Sequence, residues 1–206
     1  WRNVQTVFSS IYLANYAPLQ MLSYMLDYSM WGLNPTGFLA TNIIIHTLNG
    51  LLLYRLFTSL HGERLFALVA AGLFLVHPLQ VESVAWISCR KNVLSLLFFL
   101  LSWEAYRSYR AAEQGHGRRA YLISLSAFVL SLMAKSTTLV LPLILLLYDI
   151  CFPIGERRLC VKDKIPYLIA ALVFALISMR VQQTDFQGGI RMPYHGGSLL
   201  GTFYTM

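Results

Sequence analysis

The side chains best suited to chemistry lie in one polar segment between two apolar runs. If residues 80–91 form a helix, Glu82, Trp86 and Arg90 share one face at intervals of four residues. Glu82 and Arg90 would then lie about 12 Å apart along the axis, too far for a salt bridge and suited to flanking a ligand. Arg90 offers a planar fork of donors and Lys91 a point charge, a pair that suits a phosphate, and Trp86 could stack on a sugar ring. The alternative is an outer loop whose two cations extend to lipid headgroups.

Three more residues are candidates for the same site. Lys135 lies between two short apolar runs, where it either snorkels or faces the same cavity as a second cation. His77 could cap a broken helix, bind a metal or act as a base. Because no second His or Cys lies at ligand spacing, we expect capping or hydrogen bonding and no metal site. Asp27 lies on the polar face of an amphipathic helix that begins near Pro18, which either roofs a binding cavity or belongs to an aromatic belt at the membrane interface.

The composition places these residues in a membrane protein. Of 206 residues, 57% are hydrophobic and 12% are charged, and the mean hydropathy is +0.58. A chain with so little charge cannot cover a soluble globule, which excludes an ordinary soluble domain, a disordered region and a nucleic-acid-binding module. The three cysteines have neither paired nor metal-type spacing. We therefore predict an all-α, polytopic transmembrane bundle.

Six apolar runs are expected to form its helices, and several are too short to span a bilayer alone. Polar residues inside the runs are interpreted as structural: His46 and Asn49 as links between helices, and Asp149 as a cap or ion pair. The runs are 37–57, 65–76, 92–109, 121–134, 137–152 and 165–181.

Basic residues predict the orientation of the bundle. Alternate connections carry ten of the 16 Lys and Arg residues, so these connections are expected in the cytoplasm and both ends of the chain outside. The predicted organisation is an outer-face loop with the amphipathic helix over 1–36, six hydrophobic helices over 37–181, and an outer loop with the start of a further helix over 182–206. The net charge of +7 is explained by this topology and by anionic lipid, so no nucleic-acid partner is expected.

Several segments, in one order, resemble the bacterial relatives of the transmembrane-and-TPR O-mannosyltransferases, which are GT-C-type glycosyltransferases. The most specific of them is His77–Trp86. The segments are Asn15–Leu19, Leu22–Asp27, Trp31–Pro35, Asn42–His46, His77–Trp86 and Met133–Lys135.

The resemblance implies an integral enzyme of a bacterial inner membrane that moves a sugar from a polyprenyl-phosphate donor to an acceptor on the outer face, without a cofactor. The implied partners are that donor, membrane lipid, and a protein acceptor or membrane complex. Arg90, Lys91 and Lys135 would hold the donor phosphate. Because Arg90 and Lys135 lie on outward turns, we expect their truncation to leave the fold intact.

The remaining roles follow from the same resemblance. His77, Glu82 and Trp86 would orient the substrates. The catalytic acid would precede Trp1, with Asp27 and Glu82 as the candidates within the chain, and TPR repeats would follow its last residue.

Two departures leave alternatives open. The common bacterial pattern has acids just before and just after the Arg-Lys pair, whereas this chain has Cys89 and Asn92. A non-catalytic membrane subunit that keeps the glycosyltransferase scaffold is the first alternative. A transporter or flippase is the second, but it would be expected to carry polar networks deep in several helices, and only the first apolar run does so.

Overall fold

The computed structural model describes residues 17–112, 117–152 and 161–182. The described part is all-α and contains no strand, which confirms the predicted class. Expectations for residues 1–16 and 183–206 lie outside the described residues. The helices are α1 Pro18–Trp31, α2 Pro35–His61, α3 Arg64–Val76, α4 Pro78–Ala85, α5 Arg90–Ala111, α6 Arg118–Ala134, α7 Leu141–Cys151 and α8 Ile165–Gln182, with 3₁₀ turns at Ile87–Cys89, Ser136–Val140 and Val161–Lys164.

Local signals determine where helices begin and end. Helices α1, α2 and α4 each start at a proline, whose fixed φ suits the first turn and whose missing N–H costs nothing there. The Asn34 side chain caps α2 by accepting a hydrogen bond from the Thr36 amide at 3.0 Å. Gly62 closes α2 with a left-handed φ of 75°, a conformation that favours glycine.

One described helix, α2, is long and apolar enough to cross a membrane alone, and α3 and α4 pass the same test only as a pair bent by 57°. The bundle exposes many large apolar side chains, among them Leu68, Leu73, Ile169 and Leu172. Such a surface is stable against lipid and not against water. Short and broken helices next to one long helix agree with the expectation that several runs do not span alone.

Helices α5 and α6 pack through small hydroxyl side chains. Ser102 donates to the Ser124 carbonyl at 2.8 Å and Ser124 donates back to the Ser102 carbonyl at 2.6 Å. Ser131 donates to the Ser95 carbonyl at 2.8 Å. Small residues let the two backbones approach closely, and each hydroxyl is satisfied within the pair. These contacts tie the two helices together along their length.

The polar residues of α2 link it to its neighbours, as predicted. His46 Nε2 lies 3.2 Å from the Leu75 carbonyl of α3, and Asn49 donates to the Val93 carbonyl of α5 at 2.9 Å. Gly50 allows α3 to approach, since a Cβ there would lie 2.6 Å from Leu75 Cδ2. Helix α2 is thereby fixed between the bent α3–α4 pair and α5.

Candidate functional site

The segment with the strongest predicted chemistry is broken, not a single helix. Helix α4 ends at Ala85, Trp86 adopts an extended backbone, and a 3₁₀ turn leads to Arg90 at the start of α5. The break is held from outside the segment: Tyr24 of α1 donates to the Ile87 carbonyl at 2.5 Å, and Gln20 donates to the Ser88 carbonyl at 2.9 Å. The predicted common face of Glu82, Trp86 and Arg90 is therefore wrong.

Arg90 is fully buried, at 0% exposure. Its Nη2 lies 2.5 Å from Asp27 Oδ2, an ion pair between two buried side chains. The guanidinium also donates to Asn42 Oδ1 at 2.7 Å and to the Phe38 carbonyl at 2.8 Å, and it lies over the Tyr24 ring with 4.7 Å to the ring centre. A guanidinium so enclosed is part of the core. The premise that Arg90 is an accessible cation on an outward turn is therefore wrong, and we now expect its truncation to destabilise the fold.

Helix α1 turns its polar face toward the protein. Asp27 is 3% exposed, whereas the preceding residue, Leu26, is 66% exposed. Thr41 donates to Asp27 Oδ1 at 2.9 Å, so both carboxylate oxygens have a partner in α2 or α5. Burial raises the pKa of the Tyr24 phenol, which keeps this donor neutral beside Arg90. The polar face of α1 therefore closes over the start of α5.

Lys135 lies beside the start of α5, as the second-cation hypothesis requires. Its Nζ donates to Asn92 Oδ1 at 2.8 Å, and the Asn92 amide donates to Ser83 Oγ of α4 at 3.0 Å. Lys135 and Lys91 are both half-buried, so they keep partly accessible charge. Three connections thus meet at one place: the end of α4, the start of α5 and the end of α6.

The remaining predicted residues lie on α4 or at its two ends. His77 Nδ1 accepts a hydrogen bond from the Leu79 amide at 3.2 Å and caps the helix, which confirms the capping interpretation. Glu82 and Trp86 are exposed. Within the described ranges, no three His, Cys, Asp or Glu side chains gather as metal ligands would. The structure therefore places Lys135 against the first turn of α5, the turn that contains Lys91, and joins Asp27 and Arg90 in a buried ion pair. His77, Glu82 and Trp86 lie exposed, outside both contacts.

Sequence reasoning missed Asn42, which both positions Arg90 and donates to the Val84 carbonyl of α4 at 3.0 Å. The signal was present in the first apolar run. Asn42, His46 and Asn49 follow one another at four and three residues, which places them on one helical face. A polar stripe in an apolar helix indicates a partner that needs hydrogen bonds, here the broken connection before α5.

A second buried charge cluster lies at the other end of α5. Asp149 of α7 contacts Arg110 Nε at 3.3 Å and also pairs with Lys164, and it accepts from the Tyr106 hydroxyl at 2.9 Å. Arg110, Asp149 and Lys164 are almost fully buried. The predicted structural role of Asp149 is confirmed.

Comparison with known proteins agrees with the resemblance in the sequence. Residues 17–181 match the family model described as dolichyl-phosphate-mannose-protein mannosyltransferase. The mouse protein named Protein O-mannosyl-transferase TMTC1 is 34% identical over 149 residues, covering 68% of this chain and 16% of the relative. The Drosophila melanogaster protein Tmtc1 is 29% identical, covering 73% of this chain and 17% of the relative.

The human Protein O-mannosyl-transferase TMTC1 is 34% identical over 154 residues, covering 70% of this chain and 17% of the relative. No solved structure matches the chain. The chain therefore spans about a sixth of the length of these relatives. With 165 matched positions (17 to 181) and the helical membrane fold described above, the chain belongs to the dolichyl-phosphate-mannose-protein mannosyltransferase family, whose members are of the GT-C type.

Proposed function

We propose that this chain forms the donor-phosphate region of a membrane glycosyltransferase that transfers mannose from a polyprenyl-phosphate carrier to a hydroxyl of a protein on the outer face. Family membership and the names of the relatives support the reaction class. In the reaction the acceptor oxygen bonds to C1 of the sugar and the bond between C1 and the phosphate oxygen breaks. The electron pair stays on the phosphate, and the hydroxyl proton passes to a carboxylate base. We place that base before Trp1.

The contact between Lys135 and Asn92 carries the proposal. It brings the end of α6 to the first turn of α5, the turn that contains Lys91, and both lysines are half-buried. We propose that the two cations face the same phosphate. The first turn of a helix presents unpaired N–H groups and a positive dipole end, which add to this attraction for an anion. Negative charge grows on the phosphate as the sugar leaves, and cations held in place stabilise it.

Arg90 has a different part in the proposal. Because Asp27 neutralises it and Asn42 fixes it, Arg90 would contact the phosphate only after losing Asp27. We assign it the role of holding α1 over the start of α5, where it positions Lys91. Asp27 is accordingly unsuited to act as the base, because its oxygens are already engaged. Glu82, Trp86 and His77, exposed on α4, would orient substrates from the open side.

Lys135→Ala in the full-length protein is expected to lower kcat/KM for the polyprenyl-phosphate donor about ten- to a hundred-fold, the worth of one charge-assisted contact to a phosphate. Initial rates at limiting and saturating donor measure it. Lys162→Ala is the matched control, because Lys162 is an exposed cation near the opposite end of the bundle. A parent rate for Lys135→Ala at scarce donor would contradict the phosphate-binding role.

A non-catalytic membrane subunit is the second candidate, favoured by one observation. The guanidinium that suits a phosphate best is neutralised by a buried carboxylate of the same chain. A non-catalytic scaffold would need the buried Asp27–Arg90 pair for its stability and would not require an accessible cation. Full-length protein that folds, binds no polyprenyl phosphate and transfers no sugar would favour the scaffold over the enzyme.

A further inference from the structure

A groove on the bundle surface lies away from the donor region. Helices α2, α5 and α6 form an open groove with a volume of about 570 Å³. Its walls are mainly apolar, and the side chains that form them include Leu52, Phe98, Leu101, Leu122, Ile123 and Leu130. A groove with such walls on a membrane-embedded surface suits a hydrocarbon chain.

One end of this groove is lined by Arg55 and Glu104, and Arg107 pairs with Glu104 from outside the lining. Arg107 Nε donates to Glu104 Oε2 at 2.9 Å, so this oxygen has a partner. Glu104 Oε1 is buried and accepts no hydrogen bond, and Arg55 Nε lies 3.7 Å from it, beyond hydrogen-bonding distance. The Arg55 side chain is 72% exposed, whereas that of Glu104 is 12% exposed. Glu104 Oε1 therefore accepts no hydrogen bond, and Arg55, the mostly exposed cation that pairs with it at 3.7 Å, holds it only loosely.

We infer that this groove binds one phospholipid with a primary ammonium headgroup, of the phosphatidylethanolamine type. One acyl chain would lie between α2, α5 and α6. Arg55 would turn from Glu104 to the phosphate, and the ammonium would take its place and donate to the Glu104 Oε1 that this movement uncovers. The site's charges complement a headgroup that carries both signs, and the proposal does not depend on sugar transfer.

Two other common headgroups fit less well. A headgroup with phosphate alone, such as phosphatidylglycerol, would bring negative charge next to Glu104 and leave its Oε1 without a donor. A choline headgroup has the positive charge but no N–H to donate. A primary ammonium group has both the positive charge and the N–H donors that Glu104 requires. Its hydrogen bonds to a charged acceptor are stronger than those between neutral groups.

The position of the charges along the helices agrees with a headgroup. Arg55 precedes the end of α2 at His61, and Glu104 precedes the end of α5 at Ala111. Each lies about 10 Å along its axis from the helix end. The apolar part of the groove continues from there toward the middle of the bundle. A lipid anchored at the charged end would thus extend its chain in the direction of the bilayer centre.

Native mass spectrometry of the detergent-purified full chain, titrated in turn with phosphatidylethanolamine, phosphatidylcholine and phosphatidylglycerol of identical acyl chains, tests the inference. The parent is expected to bind the ethanolamine lipid about tenfold more tightly than the other two. Glu104→Gln should remove this preference, because it removes the charge that attracts the ammonium. Glu63→Gln is the matched control, an exposed acid outside the groove, and should keep it.

A second variant separates the groove from the headgroup contact. Ile123→Trp places a large side chain in the groove and should weaken binding of all three lipids. Circular dichroism checks that the variants keep their helices. Equal affinity of the parent for the three lipids, a full preference in folded Glu104→Gln, or unchanged binding in folded Ile123→Trp would each overturn the inference.

Discussion

Arg90→Ala is expected to destabilise the folded chain by about 3–5 kcal/mol, the usual result of removing one partner from a buried ion pair. The change leaves the Asp27 carboxylate, itself 3% exposed, without its cation. It also removes hydrogen bonds to Asn42 and to the Phe38 carbonyl, so α1 loses its ion pair with α5 and α5 loses two hydrogen bonds to α2. Thermal unfolding of the purified protein should show a Tm lower by about 10 °C or more.

A double variant serves as the control for this prediction. Asp27→Asn combined with Arg90→Met removes both charges and keeps side chains of similar size, so it should recover a large part of the lost stability. A single Arg90→Ala variant that melts within one or two degrees of the parent would show that Asp27 finds another partner or water. The buried pair would then have no structural role.

Asp149→Ala is expected to have a similar effect at the other end of the bundle, also about 3–5 kcal/mol. The change leaves the almost fully buried Lys164 without the carboxylate that pairs with it, and Arg110 loses its ion pair with Asp149. The Tyr106 hydroxyl loses its acceptor as well. Because these residues lie on α5, on α7 and in the turn before α8, we expect the packing of all three helices to loosen. Unfolding in increasing denaturant measures the loss.

Two milder substitutions show whether charge or shape matters at this cluster. Asp149→Asn keeps an oxygen for Tyr106 but removes the charge, so it should lose most of the same stability. Tyr106→Phe removes one hydrogen bond and should cost about 1 kcal/mol. If Asp149→Ala were as stable as the parent while Tyr106→Phe were not, the cluster would depend on the hydroxyl and not on the ion pairs.

The helices were predictable because their signals are local. Long apolar runs, first-turn prolines and the His77-Pro78 break can be read from a few neighbouring residues, and the helices follow them closely. The links made by His46 and Asn49 were predictable for a related reason. A polar side chain within an apolar run needs a partner, and in a bundle the neighbouring helix supplies it.

The burial of Arg90 was not predictable in the same way. Residues 80–91 contain no local signal that would stop a helix at Ala85. The break is held instead by Tyr24 and Gln20, which are distant in sequence and donate to the Ile87 and Ser88 carbonyls. Arg90 likewise resembles an exposed outer cation until Asp27 folds over it. Tertiary contacts of this kind override the spacing that suggested a shared face.

Helix α3 has 13 residues and covers about 20 Å, against about 30 Å of hydrocarbon in a typical bilayer. Helix α4 then turns away by 57° and adds little depth. In a bilayer that α3 crosses, acyl chains along this flank would have to tilt or compress to match the helix, which would make the membrane thinner there than beside α2. The energy of that deformation decreases as bilayer thickness decreases. The flank formed by α3 and the break at His77 therefore requires a smaller hydrocarbon thickness than α2 does.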